Sequence, residues 1–176
     1  MVVKKVFIEG LLVIEPKVFE DDRGYFFESY NKRELLDYGI NEEFVQDNQS
    51  KSNKGVLRGL HYQKAPYEQG KLVRVFSGAV LDVAVDIRPD SPTYGQHFKI
   101  ELSGDNKKML WIPPGFAHGF LTLENNTVFF YKCTGFYMPE AEETILWNDP
   151  YLAINWGMKN PTVSYKDKNA GPFKQK

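Results

Sequence analysis

The sequence predicts a mostly β fold, a sandwich or barrel with a few short helices, in a single domain over residues 1–176. Three observations carry this expectation. Aromatic residues make up 15% of the chain, with 13 Phe and 10 Tyr set against 14 Gly and 10 Pro. Aromatic side chains suit a pleated surface, and Gly and Pro punctuate short strands. Leu81, Val83, Val85 and Ile87 alternate with Val80, Asp82, Ala84 and Asp86, which gives one oily face and one face carrying carboxylates. Other apolar runs recur with turn residues between them, as in a sandwich or barrel.

Taken in order, residues 6–14 read as the first strand, interrupted by Glu15-Pro16. Glu20-Asp21-Asp22-Arg23-Gly24 reads as a turn leading into a strand over residues 25–30. Asn31 can cap a short helix, with Glu34 three residues on, Leu35 and Leu36 as an apolar patch and Gly39 at its end. From Glu43 onward a period of two takes over. Strands are expected at 72–76, through the Leu81–Ile87 alternation, and at 96–102, 108–112 and 127–134, the last putting Phe129, Tyr131 and Cys133 on one side. The stretch 149–156 looks irregular, with room for one helical turn, and the tail beyond Asp167 reads as polar and loose.

Composition excludes several classes. A hydrophobic fraction of 42% supports a packed core and argues against general disorder. With 22 Lys+Arg against 23 Asp+Glu, no charge excess points to nucleic acid or an anionic membrane. Cys133 stands alone, so neither an internal disulfide nor a cysteine cluster for a metal is available. No apolar run approaches the ~20 residues that span a bilayer. Lys4, Lys5 and Glu9 interrupt the first hydrophobic stretch, against a secretory signal, which leaves the cytoplasm as the expected location.

The three histidines are the first candidates for chemistry. His61 lies in Arg58-Gly59-Leu60-His61-Tyr62-Gln63, where Arg58 shares its side only if the strand is not regular. His118 follows Pro113-Pro114-Gly115, which fixes the approach of its strand, and Gly119 leaves room beside the imidazole. His97 reads as structural. A metal site of the sandwich type wants His-x-His, a nearby Glu and a later His. Here Gln63 replaces the second His, and His61, Glu68 and His118 are left as a set short of one ligand.

The blocks Phe44-Val45-Gln46-Asp47-Asn48-Gln49-Ser50 and Gly55-Val56-Leu57-Arg58-Gly59-Leu60-His61-Tyr62-Gln63 resemble the dTDP-4-dehydrorhamnose 3,5-epimerase family. The similarity continues through Lys71-Leu72-Val73-Arg74, Asp82-Val83-Ala84-Val85-Asp86, Pro113-Pro114-Gly115-Phe116-Ala117-His118-Gly119, Tyr131-Lys132, Trp147-Asn148-Asp149-Pro150 and Lys166-Asp167. The resemblance implies a cupin-like jelly-roll β-sandwich, a homodimer, and catalysis without metal or cofactor. It implies inversion of C3 and C5 in dTDP-4-dehydro-6-deoxy-D-glucose, with single epimerisation or ketone isomerisation of a related sugar as the alternative. His61 matches the family's general base, Tyr131 its general acid and Asp167 the carboxylate that orients the base. Arg23, Glu28, Gln46, Asp47, Asn48, Arg58, Lys71, His118, Glu142 and Lys166 match its substrate contacts. Tyr165 and Val163 depart from the pattern without removing a functional atom.

Elementary chemistry fits these residue types. One ketone at C4 acidifies the protons at both C3 and C5, so one base and one acid on opposite faces of the ring can invert either centre through an enolate. An imidazole, of ordinary pKa ~6.5, accepts such a proton near neutrality, and a phenol of ordinary pKa ~10 stays protonated to return one. A carboxylate on the far imidazole nitrogen would fix its tautomer. Lys71, helped by Arg58, is the candidate for developing charge on O4. Arg23 and Arg58 suit the diphosphate, since guanidinium matches phosphate oxygens two at a time. Phe19, Phe26 or Tyr137 could stack on thymine. Asp82 and Asp86 are given only a supporting role. By themselves these residue types are ordinary: Tyr131 could be core, Lys71 a solvated flank, and Asp167 surface charge. The rival classes are a metal-dependent oxygenase and a sugar-binding sandwich, and bound metal or solvent exchange into the substrate would separate them.

Overall fold

The computed structural model describes residues 1–175 and is a cupin-like jelly roll of two facing antiparallel sheets. Its strands are β1 (Val2–Lys5), β2 (Leu12–Glu15), β3 (Phe19–Asp21), β4 (Gly24–Phe26), β5 (Gln46–Ser52), β6 (Leu57–Gln63), β7 (Lys71–Ser77), β8 (Ala79–Asp86), β9 (His97–Ser103), β10 (Met109–Ile112), β11 (Phe116–Thr122), β12 (Thr127–Cys133) and β13 (Glu142–Thr144). Two short helices complete it, α1 (Lys32–Leu36) and α2 (Tyr165–Lys168). One sheet has the order β1-β2-β10-β7-β12-β5, the other β13-β6-β11-β8-β9, and β3-β4 form a separate hairpin.

The main core lies between the sheets, where Val73, Val75 and Phe129 meet Val80, Ala84, Phe116 and Phe120. Tyr131 packs against this cluster. The carboxylate face of β8 therefore points inward, and Asp82 and Asp86 are fully buried. Its oily face turns outward and is also covered: Val83 and Val85 pack with Ile145, Leu152, Ile154, Trp156 and Phe173 from the C-terminal segment. The outer face of the other sheet receives Leu35 of α1, which packs with Leu72, Met109 and Trp111. Asn31 caps α1 as expected, its side chain accepting from the Arg33 and Glu34 backbone N–H groups.

Three expectations are corrected. Of the strand expected over residues 6–14 only 12–14 are extended, as part of β2; residues 6–11 are the turn, with Gly10 at φ +98°, that folds β2 back antiparallel onto β1, with Val3 opposite Ile14. The strand over 25–30 ends at Phe26, where the β3-β4 hairpin stops; beyond it Tyr30 packs edge-on against Phe44 with ring centroids 5.5 Å apart. The tail beyond Asp167 is pinned, not loose. Leu146 N–H donates to the Gly171 carbonyl (2.8 Å), Phe173 N–H donates to Asp149 Oδ2 (2.9 Å), and the Phe173 ring is buried. Burial of one aromatic ring outweighs the polarity of the surrounding sequence.

Candidate active site

A cavity of about 250 Å³ opens between the sheets, lined by Asn48, Ser50, Arg58, His61, Lys71, His118, Phe129 and Tyr131 among others. Strand alternation delivers most of these side chains. On β5, Asn48 and Ser50 point inward while Asp47 points outward and pairs with Lys132 on β12 at 2.8 Å. On β6 the spacing of Arg58 and His61 is odd, so a regular strand would place them on opposite faces. A bulge resolves this: His118 pairs with His61 and Phe120 with Arg58, with a register shift between them. Gly59 makes the bulge possible. Its φ is +126°, and a Cβ there would lie 2.6 Å from Gly119 Cα.

His61 Nε2 lies 2.6 Å from Asp167 Oδ1, which leaves Nδ1 as the ring nitrogen not engaged by that carboxylate. Asp167 is 2% exposed and held from two further sides. Its backbone N–H donates to Ser164 Oγ, the cap of α2, at 3.1 Å, and its Oδ2 accepts the Gly59 N–H at 3.4 Å. Burial alone would raise this carboxyl's pKa, but the His61 and Gly59 contacts outweigh it and hold it below the ordinary value.

Across the cavity, Tyr131 stands on β12 of the opposing sheet. Burial, reinforced by nearby acidic groups, pushes its phenol up to about 12. Lys71 Nζ lies 5.8 Å from the Tyr131 ring centroid. Burial lowers the Lys71 ammonium pKa, while Asp82 and Glu142 act the other way. Arg58 is tethered through Nε to Ser52 Oγ at 3.2 Å. His118 Nε2 sits 2.9 Å from Asp82 Oδ2. Asp82 carried no assigned partner in the sequence; the inward carboxylate face was the available signal, and the β8–β11 register was needed to join it to His118.

At the rim, Glu142 accepts from Tyr137 Oη (2.8 Å) and forms an ion pair with Lys166. Gln46 donates from Nε2 to Asn48 Oδ1 (3.1 Å) and accepts the Tyr137 N–H (3.0 Å). Arg23 and Glu28 are not brought to this cavity. Arg23 sits at the β3-β4 turn with its side chain 89% exposed and pairs with Asp21, and Glu28 follows the hairpin and meets Asn31. Among the described residues no group of three or more His, Cys, Asp or Glu side chains is arranged to hold a metal ion. His61 and His118 each face their own Asp, and Glu68 lines a separate cavity with Gln63 and Arg88.

A family model described as dTDP-4-dehydrorhamnose 3,5-epimerase matches residues 5–175. The enzyme of that name from Shigella flexneri is 53% identical over 174 residues, spanning 98% of this chain and 96% of its own. A solved dTDP-4-dehydrorhamnose 3,5-epimerase from Bacillus anthracis, with TDP and PPi bound, superposes with a TM-score of 0.95 at 45% identity, over 97% of this chain and 98% of its own. The epimerase from Legionella pneumophila in complex with dTDP-4-keto-L-rhamnose gives 0.93 at 50% identity, over 97% and 91%. With sequence and framework matched over nearly its whole length, the chain belongs to the dTDP-4-dehydrorhamnose 3,5-epimerase family.

Proposed function

We propose that the protein inverts C3 and C5 of dTDP-4-dehydro-6-deoxy-D-glucose, giving dTDP-4-dehydro-L-rhamnose. The observation that carries this reading is the placement of His61 and Tyr131 on opposing sheets around one cavity, with Asp167 behind the imidazole. His61 Nδ1 takes the proton from the carbon beside the ketone, and the C–H electron pair moves into an enolate on O4. The Lys71 ammonium offsets that charge in a water-poor site. Tyr131 then delivers its phenolic proton to the opposite face of the same carbon. A phenol with a pKa of about 12 is protonated throughout the neutral range, and its phenolate recovers a proton readily. Asp167 holds the imidazole tautomer and stabilises the imidazolium that forms. No step needs a metal or cofactor.

Arg58 and Asn48 belong to the wall that would receive the diphosphate and sugar hydroxyls, and Gln46 holds Asn48 from the rim. His118, Glu142 and Lys166 complete the substrate contacts in the same proposal. The protein acts as a homodimer in which Arg23, Glu28 and the hairpin aromatics complete the partner's pocket; Asp47 has its carboxylate on the outer face. The support is the hairpin itself, which displays Phe19, Tyr25 and Phe26 at 53%, 56% and 67% exposure. The reaction belongs in a reducing cytoplasm, consistent with Cys133 as a buried free thiol. Among the described residues no helix is long and apolar enough to cross a membrane.

Incubation with the keto sugar nucleotide in heavy water, read by proton NMR at H3 and H5, tests the activity. Exchange and inversion at both carbons are expected; exchange at one carbon would make the protein a mono-epimerase, and none would make it a binding module. Mixing His61→Ala with Arg23→Ala protein tests the shared pocket. Heterodimers should regain activity that neither variant has alone, and no recovery would place each hairpin in its own subunit's site.

A further inference from the structure

Gln63 lies two residues beyond His61 on β6 and is 6% exposed. Its amide makes three hydrogen bonds, all to backbone. Nε2 donates to the carbonyls of Tyr67 (2.6 Å) and Phe136 (3.2 Å), and Oε1 accepts the Met138 N–H (2.7 Å). One side chain from the strand of His61 thus grips the chain on both sides of Tyr137. That segment is the direct continuation of β12, which carries Tyr131. Since β6 and β12 belong to different sheets, the amide ties a strand of one sheet to the loop that leaves a strand of the other. Apolar contacts in the core are non-directional, whereas three hydrogen bonds at an amide fix both distance and angle. Gln69 and Gln46 brace the same segment, through Gly135 O (2.7 Å) and Tyr137 N–H (3.0 Å).

We infer that Gln63 is a positioning residue that sets the span between His61 and Tyr131. This rests on the base and acid roles proposed above. Proton removal requires only His61 beside its carbon. Inversion additionally requires Tyr131 at the correct reach on the far face before His61 returns a proton. A loosened span therefore lets the enolate be reprotonated from the side it left, which gives solvent exchange without inversion. A residue that merely packs would lower both rates together.

The full-length Gln63→Leu and Gln63→Glu variants should be assayed with the keto sugar nucleotide in heavy water, beside wild type and His61→Ala. In Gln63→Leu, inversion should fall about 10²-fold while exchange falls about tenfold or less, because small misplacements of reacting groups carry penalties of that order. Gln63→Glu keeps an acceptor for Met138 but faces the Tyr67 and Phe136 carbonyls with a carboxylate in place of two donors, so its exchange-to-inversion ratio should also exceed the wild-type ratio. Should Gln63→Leu fail to fold, the isosteric Glu variant decides alone. A wild-type ratio in the folded variants, whether at full or proportionally reduced rates, overturns the inference. If His61→Ala loses exchange in that same experiment, the acid–base reading stands without it. If His61→Ala keeps exchange, both fall.

Discussion

His61 and His118 are cross-strand neighbours on β6 and β11, and each has a carboxylate on Nε2, Asp167 at 2.6 Å and Asp82 at 2.9 Å. Their surroundings differ. The His61 side chain is 31% exposed, and its carboxylate arrives on α2, 106 residues later in the chain. The His118 side chain is 7% exposed, stacks 6.0 Å from the Phe129 ring, and takes its carboxylate from the adjacent strand β8. The second oxygen of Asp167 accepts a backbone N–H, while Asp82 Oδ1 is buried with no hydrogen bond from the described residues. In the proposed reaction the histidine that reaches open space and is oriented by a well-satisfied carboxylate is the one that moves protons. The one enclosed by rings and flanking strands would, in that proposal, shape the floor beneath the sugar.

Substitutions can break that contrast, beginning with the largest effect. His61→Ala should lower exchange at both carbons by about 10²- to 10⁴-fold, the range for a lost general base. His118→Ala should leave exchange measurable and act mainly on KM; equal losses of exchange would erase the distinction. Asp167→Asn follows, with a loss of about 10²- to 10⁴-fold in turnover through the wrong imidazole tautomer. Its stability consequence has a definite sign. The Asp167 carboxyl lies below its ordinary value, so its stabilisation is present above the unfolded pKa of ~3.9 and is lost as pH falls through the lower folded value. Denaturant melts of wild type and Asp167→Asn should differ at pH 7 and converge on strong acidification.

Phe173→Ala should destabilise the protein by about 3 kcal/mol and weaken exchange through Asp167, because the tail that follows α2 is held by that ring. Asp82 does not depend on the tail, so a variant with intact exchange would show that the tail only adds stability. The smallest catalytic effect belongs to Asp86, a third buried carboxylate on the same β8 face as Asp82. Although burial opposes its ionisation, hydrogen bonds from Arg88, Ser91 and Thr93 hold its pKa at about 2. Asp86→Asn should cost about 2 kcal/mol at pH 7 with near-normal turnover. That deficit should shrink from about pH 4 downward, where the unfolded chain's carboxylate protonates, and disappear as pH falls through the folded value of about 2, as thermal melts across pH would show.

Much of the sandwich was legible in alternation. The pattern of β8, the strands near 72–76, 96–102, 108–112 and 127–134, and the Asn31 cap all follow from local rules of side-chain facing and capping. β5 was less legible, because Gln46-Asp47-Asn48-Gln49-Ser50-Lys51-Ser52 has no apolar face; seven paired positions on β12 make it a strand. The break at Gly10 and the anchored tail were hidden for the opposite reason, since polar or mixed local sequence masks one decisive glycine or one buried ring. The family resemblance singled out His61, Tyr131 and Asp167 as candidates, whereas alternation alone left Tyr131 indistinguishable from core and Asp167 from surface charge. The bulge at Gly59 that lets Arg58 and His61 face the same way depends on the close approach of Gly119, which no spacing rule contains.

Local sequence already set which residues could alternate, cap and turn, and which side chains were available to carry a proton or a charge. Those properties follow from sterics and solvation between near neighbours in the chain. Long-range folding was needed to bring Asp167 to His61, Asp82 to His118, and Gln63 to the loop that leaves β12. Such pairings depend on strand register and on loop closures summed over many elements, and a register shift of a single residue would have turned the strand-borne His61, Gln63, Asp82 and His118 to the other face.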